Sequence, residues 1–532
     1  MAYIELNNVT FTYPDAPGPA LSSISLSVGM GEFIVLFGPS GSGKSTLLRL
    51  LKEEIRPHGK LEGTITAGGI GTDDTGFVFQ DPENQIVADD PLHEMVFGLE
   101  NRGIPTNEMR SRVAEIVSFF GVEPILHKKM HELSGGRKQQ MNLASVLLMQ
   151  PDVLLLDEPA SQLDPVSTRE LFDMLKRLNE EFGMTIILAE HRLDEAIALA
   201  DRVVMLDGGR IVHEGPPRPV MRRLMGTEAE PFIPSIPALF LRAEKETPLP
   251  GIPLSIKEGR GLIDLLGPDD VEAALEFGGA SQTGEVLLSA RNVGFRYEKK
   301  HASVIEDFKL ELKRGELYAL LGGNGSGKST LLKLLCGVIK PLEGTISIED
   351  EPFKKWNTRA LAGKMAYLPQ NPKFFFLHDS VAGEIEAACE MWGADPTEAE
   401  RLAREFGLDG LLYRHPYDLS GGELQKAAFL CLLLRKPDVF LLDEPTKGLD
   451  PISKKNLGSI LQKAGENGSA ILIATHDIEF ASQYATRCGM LFQGNITSED
   501  SPARFLKGNF FYTTMARRLF RNIDRRGSKA EE

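Results

Sequence analysis

The sequence contains few cysteines and lacks any long apolar stretch. Its four cysteines, Cys336, Cys389, Cys431 and Cys488, all lie in the second half and show neither paired nor metal-ligand spacing. This usage predicts reduced, buried thiols and argues against a disulfide-rich secreted fold. No apolar run reaches the ~18 residues that a membrane-spanning helix needs. We therefore expect a globular protein that acts at a membrane, if it does so, from outside the bilayer and through partners.

The sequence also lacks an export signal and an excess of basic residues. The amino terminus, "MAYIELNNVTF", has neither the basic start nor the apolar core of a signal peptide, so export is not expected. The formal charge of −16 argues against non-specific binding along a nucleic acid. At 532 residues the chain is too long for one ordinary core, so two or more domains are expected.

What the sequence does contain is a long internal repeat. "GPSGSGKST" from Gly38 returns as "GGNGSGKST" from Gly322, and "LSGGRKQQ" from Leu133 returns as "LSGGELQKA" from Leu419. "VLLLDEPASQLDP" likewise returns as "VFLLDEPTKGLDP", and all of these pairs are separated by 284 to 286 residues. Motifs that keep their order at a nearly constant spacing indicate a duplication. The chain is therefore predicted to carry two homologous domains.

The repeat sets the predicted domain boundaries. The first domain covers 1–220 and the second covers 285–500, with a proline-rich linker at 221–284 and a tail at 501–532. A helix on a membrane surface is one interpretation of the tail. A terminal helix that packs on or between the two halves is the interpretation we favour. Both interpretations depend on apolar residues at helical spacing, which are Met515, Leu519 and Ile523. The arginines around them are Arg517, Arg518, Arg521 and Arg525.

Each half carries a strand-like run that leads into G-x-x-x-x-G-K-S and then into a helical segment. In that setting the loop is predicted to turn its backbone N–H groups around phosphate oxygens, at the positive end of the helix. Lys44 and Lys328 would reach the β- and γ-phosphates of ATP, and Ser45 and Ser329 would coordinate Mg²⁺. The predicted ATP-binding loops consist of Gly38, Pro39, Ser40, Gly41, Ser42, Gly43, Lys44, Ser45 and Thr46, and of Gly322, Gly323, Asn324, Gly325, Ser326, Gly327, Lys328, Ser329 and Thr330.

A second strand-like run in each half ends in two acids, Asp157-Glu158 and Asp443-Glu444. A continuous apolar run is typical of a strand buried on both faces, and the carboxyl ends of such strands are where α/β sheets bind ligands. The aspartates suit Mg²⁺, and the glutamates can polarise the attacking water. The pairs are therefore predicted to be the catalytic acids of two phosphoryl-transfer sites.

A histidine and a tyrosine in each half complete the set of candidate residues. His191 and His476 follow a third strand-like run and are predicted to contact the γ-phosphate at the same sheet edge. Tyr13 and Tyr297 are candidates for stacking on adenine, because an aromatic face accepts any base. Aromatic residues are also common in strands for packing reasons alone, so a structural role for both tyrosines stays open.

The "LSGG" motif upstream of "LLLDEP", repeated together with a phosphate loop, a lone glutamine and a lone histidine, resembles the ATP-binding cassette (ABC) ATPases. The resemblance covers both halves and implies two tandem α/β domains of the P-loop NTPase type. Each would have a RecA-like core, a small antiparallel β subdomain and a helical signature subdomain. It also implies that Gln80 and Gln370 sense Mg²⁺ and border the groove for a membrane partner.

By the same resemblance, the two halves form an intramolecular pseudo-dimer with two composite sites. The first site would combine Lys44, Gln80, Asp157, Glu158 and His191 with residues 420–422 of the other half. The second would combine Lys328, Gln370, Asp443, Glu444 and His476 with residues 134–136. The signature residues are Ser134, Gly135, Gly136, Ser420, Gly421 and Gly422. Since both halves retain every catalytic residue, two hydrolysing sites are expected. Arg137 and Glu423 depart from the family pattern, in which glutamine is frequent.

Four classes of protein could contain such a pair of ATPase domains: an energy-coupling factor (ECF) importer, a conventional importer, a ribosome-associated twin ATPase and a chromosome or DNA-repair ATPase. The segment after Gln80, "ENQIVADDPLHEMVFGLEN", resembles the ECF ATPases, although Asp81 replaces the commoner asparagine. The ribosome-associated class uses a basic or a cysteine-rich linker, and the linker of this chain is neither. The spacing between the phosphate loop and "LSGG" leaves no room for the long coiled coils of the DNA-repair class. The intact second phosphate loop argues against sugar importers, whereas a fused importer of peptides or nickel stays open.

The expected function is therefore ATP hydrolysis that powers an ECF importer of a vitamin, a vitamin precursor or a transition metal ion. The resemblance implies two membrane partners, a scaffold subunit and a substrate-binding subunit, and a peripheral location on the cytoplasmic face of the cell membrane. No nucleic acid is expected among the partners. Asp81, Glu83, Asp89 and Asp90 are candidates for contact with arginines of the membrane subunit. The transported substrate contacts other chains, so the sequence leaves it open.

Overall fold

The computed structural model describes nine stretches of the 532-residue chain, and within them it leaves out the side chains of 265 and 522–527. These stretches are 3–14, 16–68, 74–161, 163–244, 251–267, 284–298, 302–323, 325–510 and 512–527. Asn324 of the predicted phosphate loop lies outside the described residues, as do parts of the predicted linker and tail. The chain divides into two compact units, Met1–Glu258 and Gly259–Glu532.

The first unit contains a three-stranded antiparallel sheet and a six-stranded sheet. Its strands are β1 (Ile4–Thr12), β2 (Leu21–Val28), β3 (Phe33–Phe37), β4 (Lys60–Ala67), β5 (Thr75–Val78), β6 (Val153–Asp157), β7 (Thr185–Ala189), β8 (Arg202–Asp207) and β9 (Arg210–Gly215). The small sheet has the order β2-β1-β4, and the large sheet has the order β5-β6-β7-β3-β8-β9. Neighbouring strands of the large sheet are parallel except for β8 and β9.

Helices of the first unit begin and end where local chemistry dictates. The helices are α1 (Lys44–Leu50), α2 (Pro91–Asn101), α3 (Thr106–Phe120), α4 (Gly135–Leu148), α5 (Pro165–Phe182), α6 (Leu193–Ala196), α7 (Pro217–Leu224) and α8 (Ser235–Ala243), followed by α9 (Ile256–Gly261) at the division between the units. The Asp164 side chain accepts hydrogen bonds from the first backbone N–H groups of α5, with Pro165 at the first helical position. The helix ends at Gly183, whose φ of 68° is one that glycine adopts readily.

The second unit repeats this architecture. Its strands are β10 (Val286–Phe295), β11 (Ile305–Lys313), β12 (Leu317–Leu321), β13 (Glu343–Ile348), β14 (Glu351–Pro352), β15 (Met365–Leu368), β16 (Val439–Asp443), β17 (Ala470–Thr475), β18 (Arg487–Phe492) and β19 (Asn495–Asp500). The sheets have the orders β11-β10-β13-β14 and β15-β16-β17-β12-β18-β19. Its helices are α10 (Lys328–Leu335), α11 (Thr358–Lys364), α12 (Val381–Trp392), α13 (Pro396–Glu405), α14 (Gly421–Leu434), α15 (Pro451–Glu466), α16 (Ile478–Tyr484), α17 (Pro502–Gly508) and α18 (Met515–Gly527). The predicted tandem α/β fold is confirmed.

The large sheet of each unit brings the predicted motifs to one edge. Strands β3, β6 and β7 are buried along their whole length, as are β12, β16 and β17. These strands are parallel neighbours, so the segments that follow them meet at the carboxyl edge of the sheet. Those segments carry the phosphate loop, the Asp-Glu pair and the histidine. The glutamine follows the adjacent edge strand, β5 or β15.

A pair of helices follows the last strand of each unit. Part of the predicted linker forms α8, which is bonded to the first unit where the Ser235 N–H donates to Asp194 Oδ1 (3.0 Å). The corresponding helix of the tail, α18, is bonded to the second unit where the Met515 N–H donates to Glu479 Oε1 (2.8 Å). Among the described helices, none combines the length and the apolar character needed to cross a bilayer.

Candidate active sites

The phosphate loops have a backbone that requires glycine at specific positions. Gly38 and Gly43 have φ values of 139° and 100°, in the region that side chains other than glycine rarely adopt. A Cβ atom on Gly38 would also collide with the carbonyl oxygen of Leu206. Gly327 repeats the conformation of Gly43, with a φ of 101° immediately before its helix. Both loops therefore have the tight turn that aims backbone N–H groups at an anion.

The two loop lysines are buried over the carbonyl groups of their own loops. Lys44 Nζ donates to the carbonyl oxygens of Gly38 and Pro39, each at 3.0 Å. Lys328 Nζ donates to those of Gly322 (2.8 Å) and Gly323 (3.2 Å). A buried ammonium group held by neutral carbonyls gains when a phosphate oxygen replaces them, because a charged acceptor forms the stronger hydrogen bond. The geometry thus supports the phosphate contacts predicted for both lysines.

The aspartates after β6 and β16 have the properties of ligands for a divalent cation. The Ser45 hydroxyl donates to Asp157 Oδ1 at 2.8 Å. Burial, with the charge of Glu158 as the second cause, raises the pKa of Asp157 to about 6. Burial likewise raises the pKa of Asp443 to about 6. Neither carboxylate oxygen of Asp443 receives a hydrogen bond of normal geometry from the described residues. Two buried carboxylates with few hydrogen-bond donors, one of them bonded to a serine hydroxyl, fit the hard oxygen ligands that Mg²⁺ prefers.

The two glutamates that are predicted to be catalytic share an unusual backbone conformation. Glu158 and Glu444 have φ values of 47° and 51°, which non-glycine residues adopt infrequently. Each is fixed by the neighbouring strand: the Glu158 N–H donates to Ala189 O (2.9 Å) and the Glu444 N–H to Ala474 O (2.8 Å). Conformations of this kind persist where surrounding contacts over-determine them, and they cluster at functional sites.

In the first unit, three predicted residues meet at the Glu158 carboxylate. Gln80 Nε2 donates to Glu158 Oε2 at 2.7 Å, and His191 Nε2 lies 2.8 Å from Glu158 Oε1. Both Glu158 and His191 are buried. The structure therefore brings Gln80, Glu158 and His191 into one cluster at the sheet edge.

In the second unit, Glu444 has a different set of partners. His476 Nδ1 lies 2.9 Å from Glu444 Oε2, and the same oxygen accepts from the Thr475 hydroxyl and the His476 N–H, both at 3.2 Å. Burial alone would raise the pKa of Glu444, but His476, together with Lys328 at 3.9 Å, holds it below its ordinary value. Gln370 is exposed, and among the contacts of the described residues it has none with Glu444.

Each tyrosine is tied to the phosphate loop by its hydroxyl group. Tyr13 Oη lies 3.0 Å from Thr46 Oγ1, and Tyr297 Oη lies 3.0 Å from Thr330 Oγ1. Each ring also makes an edge-to-face contact with the phenylalanine two residues earlier in the chain, at 5.0 Å between centroids. The tyrosines are thus held beside the phosphate loop, and stacking on adenine stays a prediction.

The signature serines begin helices. The Ser134 hydroxyl accepts from the Arg137 N–H at the start of α4, and the Ser420 hydroxyl accepts from the Glu423 N–H at the start of α14. Glu423 completes a capping box, because its carboxylate accepts from the Ser420 N–H at 2.9 Å. Ser134 and Ser420 are exposed. Each helix therefore presents its positive end at the surface of its unit.

The segment after Gln80 is braced from inside by an acid that sequence reasoning missed. Buried Glu94 accepts hydrogen bonds through Oε2 from the N–H groups of Val87 (2.8 Å) and Ala88 (2.7 Å). In the second unit, buried Glu384 does the same for Leu377 (2.9 Å) and His378 (3.0 Å). The signal was present in both copies as an acid within the apolar face of a helix.

The braced segments expose apolar side chains of different kinds. Val87 is 67% exposed in the first unit, whereas Phe374 and Leu377 are 81% and 87% exposed in the second. Exposed apolar groups on a rigid loop are typical of a protein interaction site. The sequence difference between the two copies thus corresponds to two dissimilar surfaces.

The acidic residues of the first segment have unequal structural roles. Asp81 caps the short turn that follows it, and Glu83 forms an ion pair with Lys138. Asp90 caps α2 by accepting from the His93 N–H at 3.1 Å. Asp89 is exposed, and its backbone carbonyl accepts from the Met130 N–H. Of the four acids predicted to meet a partner, Asp89 is the one whose side chain is best placed to do so.

Comparison with known proteins agrees with this geometry. A family model described as "ABC transporter" matches residues 21–161 and 305–447, together more than half of the chain. A protein of Bacillus thuringiensis subsp. konkukian named "Putative ABC transporter ATP-binding protein" is 44% identical over 533 residues, which cover 98% of this chain and 96% of that protein.

More distant relatives carry similar descriptions. A protein of Methanosarcina acetivorans with the same name is 32% identical over 527 residues, 93% of this chain and 85% of that protein. Among solved structures, cbiO1 from Clostridium perfringens, described as part of the ABC transporter complex cbiONQ, is 31% identical. It covers 42% of this chain and 94% of its own, with a TM-score of 0.38.

Proposed function

Because the chain belongs to the ABC transporter family, whose ATP-binding subunits hydrolyse ATP to power transport, we propose that it is the ATPase subunit of an ECF-type importer. The cargo would be a vitamin, a vitamin precursor or a transition metal ion. The observation that carries the proposal is the segment after Gln80, whose sequence resembles the ECF ATPases. Buried Glu94 supports it, because it holds this segment in a fixed shape with Val87 exposed towards a partner.

The chain's own residues would position phosphate and water in each half. Lys44 and Lys328 exchange the carbonyls of their loops for phosphate oxygens. Glu158 and Glu444 accept a hydrogen bond from the attacking water and orient it, which is the main task of a protein in phosphoryl transfer. The histidines, already in contact with these carboxylates, contact the γ-phosphate from the same sheet edge.

A Mg²⁺ ion bound together with ATP would supply neutralisation of the charge on the transferred phosphoryl group. Ser45, Gln80 and Asp157 would hold the ion in the first site. Ser329, Gln370 and Asp443 would hold it in the second. The hydroxyl contact of Asp157 and the unsatisfied oxygens of Asp443 support this assignment.

Each site would be completed by the other half of the chain, in a head-to-tail pseudo-dimer. The exposed helix starts at Ser134 and Ser420 support this arrangement, because a helix amino terminus attracts a γ-phosphate. The domains would be 1–220 and 285–500, joined by 221–284 and followed by the tail 501–532. Closure of the two halves around ATP would then move the membrane partners, at the cytoplasmic face of the membrane.

The membrane scaffold would present two different helices to the two units. Val87 and the acidic residues near it form one contact surface, and Phe374 and Leu377 form the other. A substrate-binding membrane subunit would join the complex through the scaffold.

The test is recovery of the full-length, tagged chain from its native membranes in a mild detergent, with identification of the membrane proteins that accompany it. A matched control carries Val87→Asp and Leu377→Asp, two changes at exposed side chains that leave the ATP sites untouched. We expect a scaffold protein and a small substrate-binding integral protein with the wild type, and their loss with the control.

Other recoveries would contradict the ECF assignment. A periplasmic-type binding protein with two large permeases would indicate a conventional peptide or nickel importer. Ribosomes would indicate a soluble twin ATPase, the class against which the composition of the linker argues.

A further inference from the structure

Glu190 is a buried carboxylic acid for which the proposed chemistry has no use. It lies between β7 and His191, at the carboxyl edge of the large sheet, and is 3% exposed. In the second unit the residue before the histidine is Thr475. The two halves therefore differ at a position that adjoins both catalytic glutamates.

The Glu190 carboxyl group joins two backbone segments of the first site. Its Oε1 accepts from the Ala160 N–H at 3.0 Å, and its Oε2 accepts from the His191 N–H at 3.2 Å. Ala160 lies two residues after Glu158, in the turn that carries the catalytic carboxylate. One side chain thus fixes the turn of Glu158 relative to the backbone of His191.

The turn at Glu158 has a backbone conformation that must be held by neighbouring contacts. Glu158 has a φ of 47°, and its own N–H is held by Ala189 O. Glu190 bonds the N–H of Ala160, two residues later, so the turn is held both at Glu158 and just after it. Such double support is what keeps an infrequent backbone conformation in place.

Thr475 supports Glu444 by a different route. Its hydroxyl donates directly to Glu444 Oε2 at 3.2 Å and accepts from the Asp477 N–H at 3.0 Å. At the position before the histidine, the second site therefore has a hydroxyl that donates to the catalytic glutamate, whereas the first site has a second carboxyl group. These are chemically distinct environments built on the same backbone.

The electrostatics are compatible with this role. Burial, and then the charge of Glu158, raise the pKa of Glu190 to about 8, while the nearby Arg192 opposes the rise. A carboxyl group that holds a proton near neutral pH limits its repulsion of Glu158. Its oxygens can still accept both backbone hydrogen bonds.

We propose that Glu190 is a positioning residue of the first ATP site, which holds Glu158 and His191 in their working arrangement and makes the turnover of this site differ from that of the second. The inference rests on the catalytic roles proposed above for Glu158 and His191. Glu190 touches neither nucleotide nor water in this role and acts through the backbone.

The test is steady-state ATP hydrolysis by the full-length chain carrying Glu190→Thr, Glu190→Gln or, as the control, Glu115→Gln at an exposed position of α3. We expect Glu190→Thr to lower the contribution of the first site to kcat by about fivefold, because the hydrogen bonds to the Ala160 and His191 N–H groups are lost, with KM for ATP unchanged within about twofold. Glu190→Gln keeps one acceptor oxygen and should recover a substantial part of kcat. Glu115→Gln makes the same acid-to-amide change at an exposed position and should match the wild type.

Glu158→Gln in the same assay distinguishes failure of the positioning role of Glu190 from failure of the catalytic role of Glu158. If turnover falls with Glu158→Gln but is unchanged with Glu190→Thr, the positioning role is overturned and the catalytic assignment stands. If Glu158→Gln leaves turnover at the wild-type level, both are overturned. A change of kcat and KM together, with an equal loss of thermal stability in Glu190→Gln and Glu190→Thr, would mean a purely structural role and would also overturn the inference.

Discussion

Glu190 and Glu158 lie near each other in the interior of the first unit, where burial disfavours a charge on both at once. Burial and the charge of Glu158 raise the pKa of Glu190 to about 8, from a model-peptide value of 4.5. Between these two pH values the unfolded chain is ionised at this position, while the folded chain keeps its proton. Because the folded state then binds more protons, this residue makes the free energy of unfolding fall as the pH rises from 4.5 towards 8.

Glu190→Gln should remove that pH dependence, because an amide does not ionise. In buffer without Mg²⁺ or nucleotide, the melting temperature of the variant relative to the wild type should rise steadily between pH 5.5 and pH 7.5. Over this pH range, the free energy of unfolding of the variant relative to the wild type should increase by on the order of a few kcal/mol. Thermal unfolding at three pH values measures it, with Glu115→Gln, at an exposed position of α3, as the control. Parallel curves for variant and wild type would contradict the prediction.

Among the secondary-structure elements, the segment between β5 and α2 is the one that we propose contacts the membrane partner. Its shape depends on hydrogen bonds within the unit. The Phe79 N–H donates to the Gln85 side chain, and the N–H groups of Val87 and Ala88 donate to the Glu94 carboxylate. Asp90 also belongs to this internal framework, since it caps α2. A charge reversal at Asp90 would therefore change the helix as well as the surface, at a cost of about 1 kcal/mol.

Asp89→Arg is the cleaner test of an acidic contact with the membrane subunit. We expect it to lower recovery of the membrane partners in a mild-detergent pull-down, because it replaces attraction to arginines with repulsion. The companion variant Asp90→Asn keeps the cap of α2 and should recover nearly as much as the wild type. Unchanged recovery with Asp89→Arg would show that the acidic side chain makes no such contact.

The same elements show how far the sequence reaches. Continuous apolar runs predicted β3, β6 and β7, and the order of motifs along them predicted that Lys44, Asp157 and His191 would share one sheet edge. The proline-rich segment hid α8, because Pro234 and Pro237 stand at the N-cap and in the first turn, where proline is compatible with a helix. Prolines in these positions help to begin a helix that a proline count alone would not suggest.

Glu190 was missed for a different reason. Its proposed role depends on the pairing of Asp157 with Ala189 across β6 and β7. This pairing brings Ala160 and Glu190, 30 residues apart in sequence, into hydrogen-bond contact. Only the mismatch between "LAEH" and "IATH" in the two copies was visible in the sequence. This mismatch lies next to a predicted catalytic histidine, but only the fold shows that Ala160 is the partner of Glu190.

At the scale of the whole molecule, the duplication preserves backbone geometry more faithfully than side-chain contacts. The left-handed conformation recurs at Glu158 and Glu444. Gln80 contacts the glutamate in the first unit, whereas Gln370 is exposed in the second. The chain thus keeps two complete sets of predicted catalytic residues in unequal surroundings, which favours the proposal of two sites that hydrolyse ATP at different rates.

Glu158→Gln and Glu444→Gln, made separately and together in the full-length chain, test this directly. Each change keeps the size of the side chain and removes the carboxylate, so the affected site should slow by about 10²-fold or more while ATP binding persists. Each single variant should therefore show a clear loss of steady-state turnover, and the double variant should retain only background hydrolysis. Unequal losses in the two single variants would match the different partners of Glu158 and Glu444, whereas wild-type turnover in either one would mean that the chain has a single working site.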